Sequence, residues 1–253
     1  MNDNPDLREW LDDWPYDAEN VVRIVRVSDG REIMQVRTPL GIEQYELEGR
    51  PDGQRPHGMQ SVLDYHLSCL AKLKESDEED TFLLRSEECS ELFDEGVIYY
   101  CRYLHLFQIK DWERTIRDTA RNLRLFDFIH RYGARQEDRM QLEQWRSYVI
   151  RMNAIAKAML LSDAQDFDGA QKIVKRAIAS IESLPAMDNP NFAFERKRSL
   201  EALKEVAVEL ITNRPQSKLE RLEQELRQAV ESQEFERAAE LRDKIRALRE
   251  TGG

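Results

Sequence analysis

Short alternations of apolar and polar residues near the start of the chain predict a small antiparallel sheet. They read VVRIVRV over residues 21–27, REIMQVRT over 31–38 and IEQYELE over 42–48. Asp29-Gly30 between the first two runs is a hairpin signal, because glycine readily adopts the positive φ of a tight turn. The alternation slips by one residue at Gln44–Tyr45, which favours a β-bulge there. We therefore expect a three-stranded β-meander.

From Met59 onward the apolar positions recur at helical spacing. Gly133 is a candidate for the residue that ends a helix, and Pro185 stops a later one. The run over residues 137–164 predicts one long helix. The remaining runs predict helices over 59–73, 86–109, 111–133, 166–184 and 191–213.

This pattern predicts a mainly α (α+β) fold that is divided into four regions. An extended acidic arm (1–20) precedes the β-meander (21–58), a body of helical hairpins (59–212) and a C-terminal helical hairpin (216–250). The arm carries Trp10, Trp14 and Tyr16, which can anchor it on its own domain or on a partner. We favour its own domain, since buried aromatic side chains contribute strongly to packing.

An acidic residue next to an aromatic one begins three of the predicted helices. The pairs are Asp111-Trp112, Asp166-Phe167 and Glu234-Phe235. An acid in the first turn favours the positive end of the helix dipole. The aromatic can wedge between the two helices of a hairpin, as in loosely tetratricopeptide-like stacking. A shared turn preference of ordinary helical hairpins explains the pattern equally well.

The last segment of the chain has two narrow apolar stripes separated by the polar break Glu231–Glu234. Both stripes have the spacing of an amphipathic helix, and small alanines allow the two helices to approach closely. We expect Phe235 to begin the return helix as a wedge. The first stripe comprises Leu219, Leu222, Leu226 and Ala229, and the second comprises Phe235, Ala238, Ala239, Leu241, Ile245 and Leu248.

A two-helix hairpin of this length is too small to bury its whole apolar surface by itself. Domains below about 40 residues usually need metals, disulfides or association for stability. The remaining apolar face should therefore meet the body of this protein, a second copy or another protein. All of the stripe residues except Leu219 are accordingly our candidate interaction residues.

These residues resemble the UVR motif, the C-terminal helical hairpin of the bacterial excision-repair protein UvrB. The motif also occurs in UvrC, ClpC-type chaperones and McsA-type adaptors. The resemblance rests on Leu222, Leu226, Ala229 and Val230, and on the run that extends from Glu234 to Leu248. It implies docking onto a partner that carries a UVR motif, or self-association. A generic charged coiled coil is the alternative interpretation.

The resemblance covers only the end of the chain and does not imply excision chemistry. The sequence has no G-x-x-x-x-G-K-[ST] phosphate loop, so the helicase engine of UvrB is missing. A nuclease of the UvrC type would need a much longer chain. The cysteine-pair zinc spacings of the McsA type are also missing.

Composition narrows the classes of partner and the compartment. The net charge of −11 opposes sequence-independent binding to nucleic acid, because phosphate backbones are repelled. Three cysteines without paired spacing suggest free thiols in a reducing compartment. The start of the chain lacks a secretory signal, and no apolar run is long enough to span a membrane. We expect a cytoplasmic protein.

Other candidate sites have simpler structural explanations. His66 with Cys69 and Cys101 with His105 could bind zinc, but their apolar flanks favour core packing. Arg50 and Arg55, in the loop over residues 49–58, could grip a carboxylate or phosphate, although glycine and proline turns explain that loop. The acid pairs Glu87-Glu88 and Asp94-Glu95 look like parts of a solvated face. We expect no cofactor, no metal and no catalytic residue.

The sequence thus predicts a non-enzymatic bacterial interaction protein, an adaptor or scaffold. It would dock onto a partner that carries a UVR motif, or onto a second copy, through its C-terminal hairpin. The alternative is an accessory factor of nucleotide excision repair that contacts UvrB or UvrC. An enzyme that uses the β-region and the arginine loop is a third interpretation, with no recognised catalytic motif to support it.

Overall fold

The computed structural model describes residues 6–214 and 218–251. The chain divides into two compact units, with the division between Val208 and Glu209. The first unit contains the predicted meander together with the helical body, and the second contains the C-terminal hairpin. The boundaries that we predicted for four separate regions stay a prediction.

The three predicted strands form an antiparallel meander in the order β1-β2-β3. The strands are β1 (Val22–Arg26), β2 (Glu32–Thr38) and β3 (Gly41–Glu46). Gly30 has a φ of 88° in the first turn, as its position predicts. The β2–β3 register is continuous from Thr38↔Gly41 to Ile33↔Glu46, so the predicted bulge is wrong. Ile42 is half-buried opposite Arg37, on the other face from Tyr45, and no inserted residue is needed.

The predicted extended arm contains a short helix, α1 (Arg8–Asp12), and the prediction is wrong over these residues. A hydrogen bond from the Arg8 amide to Asp6 Oδ1 (3.0 Å) supports the start of this helix. Two contacts hold Trp14 on the sheet. The Arg23 guanidinium lies 4.0 Å from the Trp14 ring, and the Trp14 carbonyl accepts a hydrogen bond from Arg37 Nε at 2.7 Å. Trp10 and Tyr16 are exposed.

The helical body follows the predicted order. Its helices are α2 (Val62–Glu75), α3 (Ser86–Gln108), α4 (Trp112–Tyr132), α5 (Gln136–Gln141), α6 (Arg146–Asp163), α7 (Phe167–Glu182) and α8 (Pro190–Thr212). Gly133 directly follows α4, as predicted, although its φ of −59° is not left-handed. A Cβ at Gly133 would lie 2.9 Å from the Ile129 carbonyl oxygen, so the close approach requires the glycine.

The single helix predicted over residues 137–164 is wrong. A 3₁₀ turn, Glu143–Trp145, separates α5 from α6. Arg146 holds this break by donating to Glu143 Oε1 (2.7 Å) and to Asp127 Oδ1 (2.8 Å) on α4. The apolar positions keep helical spacing across the break, so the sequence pattern does not reveal it.

The core of the body lies between the helices and extends beneath the sheet. Leu63 of α2, Leu92 of α3 and Leu125 of α4 belong to one cluster of buried apolar side chains. Met34, Val36, Leu47 and Leu106 form a second cluster that joins the sheet to α3. The amphipathic stripes predicted for these helices are therefore buried against one another, which fixes the body as one packed unit.

Buried charges also join the sheet to the helices. Arg102 is 1% exposed and binds Asp118 with both nitrogens of its fork, at 2.6 and 2.8 Å. It also donates to the carbonyls of Glu46 (2.7 Å) and Gly49 (2.9 Å). Because every one of these partners is a charged or backbone acceptor, the guanidinium is well satisfied in the interior.

Within the described part of the chain, we find no helix with the length and apolar character needed to cross a membrane.

Candidate protein interaction hairpin

The C-terminal hairpin consists of α9 (Lys218–Glu231) and α10 (Phe235–Thr251), joined by a tight turn. Gln233 has a φ of 60°, in the left-handed region. The Glu234 amide donates to the Ala229 carbonyl at 2.8 Å, and the Gln233 amide donates to the Val230 carbonyl at 3.1 Å. These bonds satisfy carbonyls at the end of α9 that otherwise lack partners. The polar break predicted from the sequence is thus a defined helix-ending turn.

The same turn occurs at the other two acid–aromatic pairs. Lys110 and Gln165 precede Asp111 and Asp166 and have φ values of 61° and 64°. The amides of these aspartates donate to carbonyls five residues earlier, at 2.9 and 2.8 Å. Each aspartate side chain also accepts a backbone amide of the following helix. The repeated sequence pattern therefore reflects a repeated turn.

The aromatic residues of the three turns lie in different environments. Trp112 is half-buried, lies 5.4 Å from the Phe107 ring and donates from Nε1 to Asp163 Oδ2 at 3.2 Å. Phe167 is half-buried, whereas Phe235 is 69% exposed. The prediction that Phe235 wedges between two helices is wrong, and so is the idea of three equivalent stacked hairpins. The turn bonds require the left-handed residue, the two aspartates add a side-chain cap, and neither feature constrains the aromatic side chain.

The seam between α9 and α10 brings together five of the predicted interaction residues. Ala229, Ala238 and Leu241 are at most 9% exposed and form one apolar cluster, against which Leu222 and Leu226 pack. The two alanines allow the close approach that the sequence predicts. Ile245 is also buried, and Leu248 is half-buried. The side chain of Leu219 lies outside the described residues.

Two large apolar side chains are exposed among the described residues of the hairpin, and both lie beside its turn. Val230, near the end of α9, is 52% exposed, and Phe235, the first residue of α10, is 69% exposed. Ala239 is exposed one helical turn after Phe235, on the same face of α10. We call Val230, Phe235 and Ala239 the tip patch. Phe235 and Ala239 were predicted as interaction residues, whereas Val230 was noted only as part of the motif.

Among the described side chains, the rest of the hairpin surface is largely charged, with some neutral polar residues and Ala247 in between. Arg249 of α10 donates to Glu223 of α9 at 2.7 Å, which links the two helices across the seam. Arg237 pairs with Glu234 at 3.2 Å beside the turn. All four side chains are more than one third exposed, so each pair contributes little to stability. The tip patch is therefore an apolar surface within a charged one, as in the centre and rim of many interfaces.

Comparison with known proteins agrees with this geometry. The family model described as the UvrB/uvrC motif matches residues 216–251. These residues are a UVR motif. UVR motifs mediate protein–protein interactions, including interactions with other UVR-containing proteins, and are not catalytic. No curated protein and no solved structure gives a significant match to the chain.

The histidines and cysteines considered as zinc ligands lie on α2 and α3. The His66 ring is buried and packs against Phe82, with 6.5 Å between ring centroids. The His105 ring lies 5.9 Å from the Tyr45 ring. Among the described residues, no three His, Cys, Asp or Glu side chains are grouped so that they could hold a metal ion. Burial lowers the pKa of both histidines and raises the pKa of the Cys101 thiol.

The arginine loop is tied to the body by Glu95, a residue that the sequence analysis placed on a solvated face. Glu95 is fully buried, so that interpretation is wrong. Its carboxylate accepts from Arg50 Nη1 (2.9 Å) and from the amides of Val62 (2.6 Å) and Leu63 (3.1 Å) at the start of α2. A signal was present, because Glu95 lies at helical spacing between Leu92 and Tyr99 on the apolar stripe of α3.

Proposed function

We propose that this chain is a non-enzymatic adaptor or scaffold that docks onto a UVR-containing partner, or a second copy of itself, through the tip patch. The observation that carries the proposal is the exposure of Phe235. Among the described residues of the hairpin the seam buries Ala229, Ala238 and Leu241 internally, whereas Phe235 and Val230 present apolar surface to solvent.

The chemistry of the tip patch suits a binding contact. Full burial of a phenylalanine side chain contributes about 1.5–3 kcal/mol. A few well-packed aromatic residues often supply most of the binding energy of an interface. Phe235 lies between Glu234 and Glu236. We therefore expect the partner to offer an apolar pocket with basic residues at its edge.

The seam residues have a different role in this proposal. Leu241 and Ile245 are 4% and 7% exposed, so a partner reaches them only if the hairpin opens. Together with Leu222, Leu226, Ala229, Ala238 and Leu248, they hold the two helices in position. We expect them to affect binding through the integrity of the hairpin.

The alternative function, an accessory role in nucleotide excision repair, is favoured by the description of the matching motif. In that case the partner is UvrB or UvrC. The net charge of −11 supports contact with these proteins over contact with DNA.

The test compares two phenylalanine substitutions in the full chain. Phe235→Asp places a charge in the tip patch, whereas Phe194→Asp places one on α8, where Phe194 is 63% exposed. Light scattering after size exclusion measures self-association, and tagged protein captures purified UvrB or UvrC in separate experiments.

We expect Phe235→Asp to weaken association at least tenfold, equivalent to about 1.4 kcal/mol, and Phe194→Asp to leave it unchanged. Circular dichroism should show that both variants stay folded. Undiminished association of Phe235→Asp, or an equal loss in both variants, would contradict docking through the tip patch. Capture of UvrB or UvrC without self-association would favour the repair function.

A further inference from the structure

A pocket in the helical body, separate from the UVR hairpin, has walls made largely of aromatic side chains. Its volume is about 410 Å³, within the range of roughly 300–1,000 Å³ for small-molecule sites. Helices α3, α4, α6 and α8 and the turn before α6 all contribute to its lining. The aromatic residues are Phe93, Tyr100, Tyr103, Phe126, Trp145 and Tyr148.

The aromatic walls can enclose a flat ring. The Tyr100 ring lies 5.9 Å from the Tyr148 ring and 5.6 Å from the Tyr103 ring, both in edge-to-face arrangements. Tyr100 and Trp145 are 38% and 41% exposed, whereas Tyr103 is buried. The pocket therefore has solvent-exposed aromatic rings on one side, Tyr100 and Trp145, and a buried ring, Tyr103, on another. Aromatic walls of this kind favour a planar ligand through stacked and edge-to-face contacts.

One polar group in the lining is incompletely satisfied. Glu195 is 6% exposed, and its Oε2 has no hydrogen-bond partner in the described part of the chain. Arg151 Nη2 lies 4.0 Å from Oε2, too far for a hydrogen bond. The other oxygen, Oε1, accepts from Arg198 Nη1 at 3.5 Å. A buried acceptor without a donor is costly, and a ligand N–H group would satisfy it once the carboxylate rotates towards the pocket, because Oε2 itself is covered in this structure.

The charges near the pocket oppose a cationic ligand. Arg151 and Arg198 supply two positive charges beside the single negative charge of Glu195. A further cation would be repelled, although aromatic walls alone could accept one. Arg198 also lines the pocket, and its guanidinium has more than one N–H donor. The pocket thus combines an acceptor and a donor next to flat walls.

We propose that this pocket binds a neutral planar heterocycle with a lactam edge, in which an N–H group adjoins a C=O group. The N–H group donates to Glu195 Oε2, and the C=O group accepts from Arg198. The ring lies against Tyr100 and Tyr148. Oxopurines and pyrimidinones have this edge. The proposal is independent of docking through the UVR hairpin.

The test uses hypoxanthine, which has the lactam edge, and 1-methylhypoxanthine, in which a methyl group replaces the N–H hydrogen. Isothermal titration calorimetry on the full chain measures both affinities. We expect saturable binding of hypoxanthine and at least tenfold weaker binding of the methylated compound. Absence of hypoxanthine binding, or equal affinity for the two compounds, would overturn the proposal.

Three variants locate the bound ring. Glu195→Gln should weaken hypoxanthine binding about tenfold, because a charged acceptor is replaced by a neutral one. Tyr100→Ala should weaken binding of both compounds by removing part of the wall. Glu201→Gln changes an exposed carboxylate on the same helix and should have no effect. Unchanged binding in both folded pocket variants would place the ligand elsewhere and refute the assignment.

Discussion

The body and the UVR hairpin place their charges differently. In the body, Glu95, Arg102 and Asp118 are at most 1% exposed and are surrounded by hydrogen-bond partners. In the described residues of the hairpin, ion pairs such as Arg249–Glu223 lie at the surface, and the seam consists of alanine, leucine and isoleucine.

This difference has consequences for stability. Removing one member of a buried ion pair is costly, since the remaining charge stays buried and unpaired. Removing one member of an exposed pair costs little, because water and salt already screen it. The hairpin instead depends on a few apolar contacts, so we expect it to open more readily than the body.

The largest effect on stability is expected when a buried charge on α4 is removed. Asp118→Asn should lower the free energy of unfolding by about 3 kcal/mol or more, because Arg102 loses its charged partner. The control is Asp127→Asn on the same helix, where the aspartate is 69% exposed and pairs with Arg146 at 2.8 Å. Denaturant unfolding should show that this control lowers the free energy of unfolding by at most about 1 kcal/mol. Similar losses of stability in the two variants would contradict the distinction between buried and exposed charges.

A smaller and local effect is expected in the seam of the hairpin. Leu241→Ala should destabilise the hairpin by about 2 kcal/mol, at the low end for a buried leucine, because a seam of only two helices encloses little of the cavity that is left. Hydrogen exchange should accelerate over residues 218–251 and stay unchanged in α3 and α4. Lys244→Ala, at an exposed position of α10, is the control. Accelerated exchange throughout the body would show that the two units unfold together.

The buried His66 should make the body sensitive to acid. Burial lowers its pKa, so the unfolded chain binds a proton at a higher pH than the folded chain does. Its contribution to stability is therefore present at neutral pH and is lost as the pH falls below about 6.5.

His66→Gln should reduce the loss of stability between about pH 7 and about pH 5, as measured by denaturant unfolding. The control is Ala71→Gln, at an exposed position of the same helix as His66, which adds and removes no ionisable group. An unaltered pH profile in His66→Gln would show that this histidine is not responsible.

The smallest effect is expected at the exposed ion pair of the hairpin. Arg249→Ala should lower the stability of the hairpin by at most about 1 kcal/mol, because Arg249 and Glu223 are both solvent-exposed. The loss should be smaller at high salt, which screens the pair. Hydrogen exchange of α9 at low and high salt measures this effect. A loss as large as that of Leu241→Ala would show that charges, and not the seam, hold the hairpin.

Much of the architecture could be predicted from periodicity and turn chemistry. The alternation before residue 48 predicted the meander, and helical spacing predicted most helices of the body. The stripe from Leu222 to Leu248 predicted the UVR hairpin that the family model confirms. These features depend on residues close together in the chain, and the sequence records them directly.

The sequence by itself determined the three strands, most of the helices, the turns between the helical hairpins and the UVR motif. Only the tertiary structure decided which side chains are covered. Phe235 lies on the predicted stripe but is exposed, whereas Glu95 looks like a surface acid but is buried among distant partners. The pocket around Glu195 combines residues of four helices and has no local signature. Periodicity tells which residues share a face, but what packs against that face depends on residues far away in the chain.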